Sequence, residues 1–141
     1  MAQALLERML AERGLAERVV VVSGGIAPWA RDGMIPSLDA RLALKDEGIE
    51  VDEAALVSTA LRDHPELVSR ADLIVTMTAA QKALLGAADG RPVVTLRELA
   101  GEDGDIGDPA GQGEAAFLAC RDELKRCLTK SVDRLLGALG A

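Results

Sequence analysis

The stretch from residue 71 to residue 78 reads Ala-Asp-Leu-Ile-Val-Thr-Met-Thr, and its apolar centre decides the fold class. Leu73, Ile74 and Val75 follow one another with no polar residue between them, which is typical of a strand buried on both faces of a sheet. Similar runs occupy residues 19–22 and 93–96, and segments with helical spacing separate the three runs. This alternation predicts a three-layer α/β/α fold in which helices cover both faces of a parallel sheet.

The spacing of apolar residues also predicts the helices that would cover this sheet. We expect helices over residues 2–13, 37–47 and 79–88, a helix that begins at Pro65, and a long C-terminal helix over residues 117–136. A chain of 141 residues is long enough to bury a core, and it contains no repeat or linker-like stretch. We therefore expect residues 1–141 to form a single domain.

The composition argues against several functional classes. The formal net charge is −7 with no basic stripe, which disfavours binding to nucleic acid or to an anionic membrane surface. No apolar run approaches the roughly 18–20 residues of a membrane span, and Glu7 and Arg8 do not fit a signal peptide. Cys120 and Cys127 do not make a disulfide framework, so we expect a cytoplasmic protein.

Residues 104–111, Gly-Asp-Ile-Gly-Asp-Pro-Ala-Gly, form a loop between the last predicted strand and the C-terminal helix. The glycines free the backbone, while Pro109 fixes its own φ and biases Asp108 towards an extended conformation. A carboxylate held in such a loop could give or take a proton. The same composition also suits an ordinary surface turn, and the residues alone leave both interpretations open.

The polar residues that follow the predicted strands are candidates for one binding edge. Ser23 and Gly24 follow the first run, Thr76 and Thr78 close the second, and the loop of Asp108 comes after the third. In sheets of this class, ligands bind beyond the carboxyl ends of the strands. We therefore expect these three segments to converge on one mouth.

Cys120 and Arg126 have the C-x5-R spacing of a cysteine phosphatase, but the segment between them does not suit that chemistry. It has no glycine that would let it curl into a cradle of backbone N–H groups, and Asp122 and Glu123 would repel phosphate. Helical spacing instead turns Cys120 towards the core, where cysteine acts as a small apolar residue. We therefore reject this pair as nucleophile and phosphate ligand.

Metal and cofactor chemistry find no support in the sequence. Cys120 and Cys127 share one helix face with their Cα atoms about 10 Å apart, which is too far for a disulfide. One histidine and no Cys/His cluster argue against a zinc site. The turn at residues 23–25, Ser-Gly-Gly, lacks the glycine patterns of nucleotide-binding loops. We expect neither a metal nor a cofactor.

His64 and Trp29 each allow two interpretations. His64 is the only histidine and stands at a predicted helix start, where a solvated or capping role is favoured over that of a catalytic base. Trp29 is the only tryptophan and lies in a loop, where it could face a ligand or belong to a small loop cluster. The residues alone do not decide between the two roles of Trp29.

Taken together, several segments resemble the low-molecular-weight protein phosphatases, small cysteine-dependent enzymes that act on phosphotyrosine or, in some bacteria, on phosphoarginine. The resemblance runs from residue 1 to about residue 136, and it rests on the order and spacing of its segments. In chain order these are MAQALLERML (1–10), VVSGGIAPW (21–29), DEGI (46–49), ADLIVTMTAAQ (71–81), VVTLRELAG (93–101), GDIGDPAG (104–111) and RDELKR (121–126).

The resemblance implies a four-stranded parallel sheet and a C-x-G-N-x-C-R-S-P motif after the first strand. In the family that motif supplies the nucleophilic cysteine, the backbone cradle and the arginine that hold phosphate. By position, the resemblance implies that Asp108 is the general acid, which protonates the leaving group and then helps water to hydrolyse the phosphocysteine. It also puts Trp29 where some members have an aromatic pocket wall, and it implies a phosphorylated protein as the substrate.

The sequence departs from the family pattern in three ways. It begins at the residue after the expected proline, so the phosphate loop and the first strand, which is central in the family's sheet, are not among the 141 residues. Ala110 stands where an aromatic residue is usual. Residues 50–54, Glu-Val-Asp-Glu-Ala, lack the histidine that many members have there. We expect Met1 to be an internal methionine of a longer gene product.

These departures leave three functional hypotheses. The first is a phosphatase that is inactive as these 141 residues, because no other residue supplies both nucleophile and cradle. The second is a non-catalytic interaction or regulatory module, which Ala110 and the missing histidine favour. The third is an arsenate reductase, which would need two cysteines in a loop after the strand at residues 73–75. Because a missing central strand leaves free sheet edges, we also expect self-association.

Overall fold

The computed structural model describes residues 1–86 and 90–141, and in them a small parallel sheet is packed among α-helices. The predicted end of the short helix, residues 87 and 88, lies outside the described residues. In chain order the elements are α1 (Ala2–Glu12), α2 (Leu38–Asp46), a 3-10 turn (Leu61–Asp63), α3 (Pro65–Ser69), β1 (Ile74–Thr76), α4 (Ala79–Leu85), β2 (Val93–Thr95), α5 (Leu96–Leu99) and α6 (Glu114–Leu139).

The sheet consists of β1 and β2, which run parallel with Ile74 opposite Val93 and Thr76 opposite Thr95. The Ile74 N–H donates to the carbonyl oxygen of Pro92 at 3.0 Å. Because parallel strands need a crossover connection, α4 lies between them in the chain. This β–α–β unit confirms the predicted α/β fold with a parallel sheet.

The predicted strand at residues 19–22 is wrong. These residues form no strand, and Val20 and Val22 are 84% and 56% exposed. Val19 and Val21 are half-buried and pack against the core. The run therefore covers the core with one face only, whereas a strand inside a covered sheet would bury both faces.

The physical reason is that none of the described strands lies beside this run. The Val21 carbonyl oxygen accepts a hydrogen bond from the side-chain amide of Gln3 at 3.2 Å, and the Ser23 hydroxyl donates to the same amide's oxygen at 2.6 Å. A side chain of α1 thus pairs one backbone carbonyl group that a neighbouring strand would otherwise pair. The chain pairs only after this run, at an isolated parallel bridge between Gly25 and Ala60.

The core lies along α6, against which α1, α2 and α5 pack. Leu5, Leu44, Leu96 and Cys127 are almost fully buried in it. A leucine buried to this degree contributes about 1.5–3 kcal/mol relative to an exposed one. None of the helices in the described ranges combines the length and the apolar character that crossing a membrane would require.

The buried side chain of Arg121 on α6 is hydrogen-bonded to the end of α2. The guanidinium, only 8% exposed, donates to the Ala43 carbonyl oxygen at 2.9 Å and to the Asp46 carboxylate at 2.7 Å. A further carboxylate, that of Asp122, lies 2.8 Å from it. Because a buried charge needs partners of opposite charge, these contacts explain how an arginine is accommodated on the inner face of α6.

Threonine caps fix where the helices follow the two strands. Thr78 caps α4 in a capping box with Gln81, and Thr95 caps α5 in a capping box with Glu98. The predicted strand at residues 93–96 is therefore one residue too long, because Leu96 already begins α5. Thr95 thus both ends β2 and caps α5, whereas the cap of α4, Thr78, lies two residues beyond the end of β1.

Candidate active site

The loop that contains Asp108 connects α5 to α6. Gly104 and Gly111 have φ values of +94° and +75°, in the left-handed region that favours glycine. These two residues turn the chain at either end of the predicted motif. The glycines that the sequence analysis singled out are therefore used to shape the loop.

Two residues attach this loop to the carboxyl end of β1. Ile106 is buried, and its N–H donates to the carbonyl oxygen of Met77 at 2.9 Å. The Asp105 carboxylate accepts a hydrogen bond from the Ala79 N–H at 2.8 Å and so binds a free donor in the first turn of α4. The loop is thereby held against the end of a strand, where ligands bind in parallel sheets.

Asp108 lies exposed at the surface of this loop. Its carboxylate accepts the N–H of Ala110 at 3.0 Å, and its backbone carbonyl oxygen accepts from the Gln112 side chain at 2.9 Å. The backbone around Asp108 is thus held on both sides, while one carboxylate oxygen has no hydrogen-bond donor among the described residues. This arrangement suits a carboxylate that exchanges a proton with a ligand.

Cys120 packs beneath the loop and is not a nucleophile. Its Sγ lies 3.8 Å from the Gly107 carbonyl oxygen. Burial raises the pKa of the Cys120 thiol, and the negative charges of Glu123 and Asp108 raise it further, against an opposing effect of the Met1 ammonium. Because the reactive form of cysteine is the thiolate, a raised pKa disfavours nucleophilic attack.

Arg126 does not combine with Cys120 either. Its guanidinium binds the Glu102 carboxylate, with Nη2 and Oε1 3.0 Å apart. Glu102 also binds Arg97 and Lys130, and these cations together hold the pKa of its carboxyl far below the usual range, with Arg126 the largest contributor. The contacts of Arg126 therefore support the rejection of Cys120 and Arg126 as nucleophile and phosphate ligand.

Trp29 lies in a different loop, between Gly25 and α2, and its side chain is 81% exposed. The hydrogen bonds of this loop run to residues 58–64, whereas those of the Asp108 loop run to residues 77–79 and to Cys120. No hydrogen bond within the described ranges joins the two loops. Of the three segments predicted to form one mouth, hydrogen bonds among the described residues join two, the segment after β1 and the Asp108 loop, while Ser23 is hydrogen-bonded to Gln3 of α1.

The sequence analysis missed two residues that position these loops. Asp105 binds the start of α4, and Asp32 joins the Trp29 loop to the segment that begins at Ala60, whose N–H it accepts at 2.7 Å. Both contacts span more than 25 residues of the chain. An aspartate beside a glycine is typical of turns, and the sequence alone does not show that its hydrogen-bond partner lies in a distant segment.

Two open grooves lie along α6, one beside Lys125 and Lys130 and the other beside Leu42 and Leu118, and neither is lined by Asp108 or Trp29. Across the ranges that the structure covers, no three histidine, cysteine or acidic side chains gather as metal ligands. The Asp108 loop is therefore the candidate site.

Comparison with known proteins identifies the family. A model of the low molecular weight phosphotyrosine protein phosphatase family matches residues 1–138. The protein-arginine-phosphatase of Geobacillus stearothermophilus is 31% identical over 121 residues, a match that covers 83% of this chain and 77% of that protein.

Solved structures agree with this assignment. The YwlE arginine phosphatase from G. stearothermophilus is 30% identical with a TM-score of 0.77, covering 96% of this chain and 83% of that one. The low molecular weight protein tyrosine phosphatase from T. tengcongensis is 26% identical with a TM-score of 0.79, covering 94% of this chain and 88% of that one. These matches agree with the α/β fold described above. The chain belongs to the low molecular weight phosphotyrosine protein phosphatase family.

Proposed function

We propose that these 141 residues form the part of a protein phosphatase that follows the cysteine loop, and that Asp108 is its general acid and base. In the complete reaction a cysteine thiolate forms a bond to phosphorus while the bond from phosphorus to the leaving group breaks, and Asp108 gives its proton to that leaving group. The Asp108 carboxylate then takes a proton from water, whose oxygen attacks phosphorus and releases the thiolate. Trp29 is one wall of the substrate slot.

The observation that carries this proposal is the way the Asp108 loop is held. Asp105 and Ile106 bind it to residues just beyond the carboxyl end of β1, while Gln112, within the same loop, binds the Asp108 carbonyl oxygen. A proton donor must be placed within hydrogen-bond reach of the leaving group, and the two attachments to a distant segment limit the movement of the loop.

The position of the start of α1 supports the same proposal. Cys120 touches the Asp108 loop, and Met1 packs against the core cluster that contains Cys120. The family's cysteine loop comes directly before this helix, so we propose that it would lie beside Asp108. The 141 residues alone supply neither that nucleophile nor its arginine.

The unpaired run at residues 19–22 supports the absence of the first, central strand. Val20 and Val22 are exposed, and β1 pairs with β2 along one edge only among the described residues. A strand between the run and β1 would give both of them a partner. Without it, we propose that the free edge allows self-association, and size-exclusion chromatography that shows only a folded monomer would contradict this.

The substrate is proposed to be a phosphorylated protein carrying phosphoarginine or phosphotyrosine. The two relatives from G. stearothermophilus, at 31% and 30% identity, are arginine phosphatases, and the relative from T. tengcongensis is a tyrosine phosphatase. Ala110 leaves no aromatic side chain beside Asp108 to select between the two.

The two unpaired thiols, Cys120 and Cys127, support a cytoplasmic location.

A non-catalytic module that keeps the fold is the second candidate. The specific observation in its favour is Ala110, since the change lies inside the loop that would perform the chemistry. An arsenate reductase has no such support, because Cys120 and Cys127 are both buried along α6 rather than placed in a loop after β1.

The first test is an assay of the purified 141-residue chain with an aryl phosphate and with phosphoarginine. We expect no turnover above the buffer rate, because the nucleophile and the cradle are absent. Turnover that Asp108→Asn abolishes would overturn the claim that the nucleophile lies outside these residues.

The second test is to read the coding sequence upstream of Met1. An in-frame apolar strand followed by a cysteine- and glycine-containing loop supports the phosphatase, and its absence supports the non-catalytic module.

In the longer product, Asp108→Asn is expected to lower kcat by about 10²–10⁴-fold. Asp103→Asn, a change of an exposed aspartate near the same loop, is the matched control and should leave kcat unchanged.

A further inference from the structure

One arginine binds three backbone carbonyl groups of the loop that carries Trp29. The Arg62 guanidinium donates to the backbone carbonyl oxygens of Ala27 at 3.4 Å and Pro28 at 3.2 Å, and also to that of Ala30. These carbonyl groups lie on both sides of Trp29 in the chain. Because the indole itself is exposed, its own packing does little to fix the loop. Arg62 is therefore one of the contacts that fix the backbone on either side of Trp29.

A second attachment joins the same loop to α3 through the only histidine. His64 Nε2 lies 2.6 Å from one Asp32 carboxylate oxygen, and the other oxygen accepts the Ala60 N–H at 2.7 Å. On its opposite side, His64 Nδ1 lies 3.3 Å from the Glu66 carboxylate. The imidazole is thus placed between a carboxylate of the Trp29 loop and a carboxylate of α3.

We propose that Arg62 and His64 are positioning residues that hold the Trp29 loop, and that protonation of His64 sets how firmly the loop is held. The attachment itself is independent of any catalytic role. Its meaning for substrate recognition rests on the proposed function of Trp29 as a pocket wall.

The chemistry of the imidazole explains why protonation matters. A neutral imidazole has one N–H and can donate to only one of the two carboxylates, whereas the imidazolium donates to Asp32 and Glu66 together. The other charged groups near this contact are Arg62 and, 4.0 Å from Arg62, Asp63. Loss of the proton therefore removes one hydrogen bond and both charge attractions from this contact.

The direction of the pH dependence follows from the two partners. The hydrogen bond to Asp32 is the main cause that raises the pKa of His64 above its ordinary 6.5. The contribution of His64 is therefore complete below pH 6.5 and is lost as the pH rises through the raised value. The Ala60 N–H and then His64 lower the pKa of Asp32 below 3.8, so its contribution is lost only in stronger acid. The loop is held most firmly between these limits.

The composition makes this proposal directly measurable. The chain has one tryptophan, no tyrosine and one histidine. Fluorescence of Trp29 therefore reports on the loop alone, and the imidazole proton signals in an NMR titration report on His64 alone. Both are measured on the 141-residue chain without substrate, between pH 5 and about pH 8, where an imidazole titrates.

We expect the fluorescence anisotropy of Trp29 to fall as the pH rises, with the midpoint that NMR gives for His64, because a less firmly held loop lets the indole rotate more freely. Asp32→Asn should move both midpoints down towards 6.5. His64→Gln should abolish the transition. Arg62→Lys should lower the anisotropy at every pH, because an ammonium cannot reach three carbonyl groups as a guanidinium does. The matched controls Asp72→Asn and Arg70→Lys, at exposed residues of the neighbouring segment, should change neither readout.

Three results would overturn the proposal. The anisotropy could stay constant while His64 titrates, it could still change with pH in His64→Gln, or its midpoint could stay fixed in Asp32→Asn. Circular dichroism of each variant separates loss of folding from loss of positioning. Because no phosphatase activity is measured, these outcomes are independent of whether the proposed function is correct.

Discussion

Residues 19–22 and residues 73–76 are both short runs of mainly β-branched apolar residues, yet only the second becomes a strand. Residues 74–76 pair with Val93–Thr95 in a parallel ladder. In the first run, Val20 and Val22 are exposed and the Val21 carbonyl oxygen is bonded to a glutamine side chain. The composition of a run therefore sets its preference for extended structure, whereas the presence of a neighbouring strand decides whether the run joins a sheet.

The largest expected effect comes from the core beneath the paired run. Leu96 follows β2 directly and is fully buried, so Leu96→Ala should lower the free energy of unfolding by about 2–5 kcal/mol. In the unpaired run, Val20→Ala should change it by less than about 0.5 kcal/mol, because Val20 is exposed. Urea denaturation with an unchanged m-value measures both.

Leu84→Ala is the matched control for that comparison, since Leu84 is a leucine with a 75% exposed side chain. It should behave like Val20→Ala. Equal destabilisation by the Val20 and Leu96 variants would mean that the first run is packed into the protein as well as the second, and the contrast between the two runs would be lost.

A smaller effect is expected when proline removes one backbone donor from each run. Ile74→Pro leaves the Pro92 carbonyl oxygen without its donor, which should lower the free energy of unfolding by about 1–3 kcal/mol. Val20→Pro removes an N–H that donates to no other residue in the described ranges, so a change within about 0.5 kcal/mol is expected. Thermal unfolding of both variants sharpens the comparison; a Val20→Pro variant as unstable as Ile74→Pro contradicts it.

Local signals were sufficient to predict much of the fold. The helices α1, α2 and α6 follow from apolar spacing, and Pro65 does begin α3. The β–α–β unit follows from two apolar runs on either side of a helical segment. The strand at residues 19–22 could not be judged in this way, because the presence of a neighbouring strand is a property of the whole sheet rather than of the run.

The candidate site was predictable in part for the same reason. Glycine, aspartate and proline mark the Asp108 loop within a few residues. The contacts that hold it come from Met77 and Ala79, and those that hold the Trp29 loop come from Arg62 and His64. Such pairings over long distances in the chain leave no local pattern, so the sequence located the loops but not what positions them.

The central claim is that residues 19–22 lack a neighbour and that the proposed first strand would supply it. Residue-resolved hydrogen exchange in dilute solution tests this most directly. The account predicts strong protection of the Ile74 amide, whereas the amides of Val20 and Val22 should exchange nearly as fast as in an unstructured peptide. Protection of Val20 and Val22 equal to that of Ile74 would contradict the account, because it would mean that the run already has a partner in this chain.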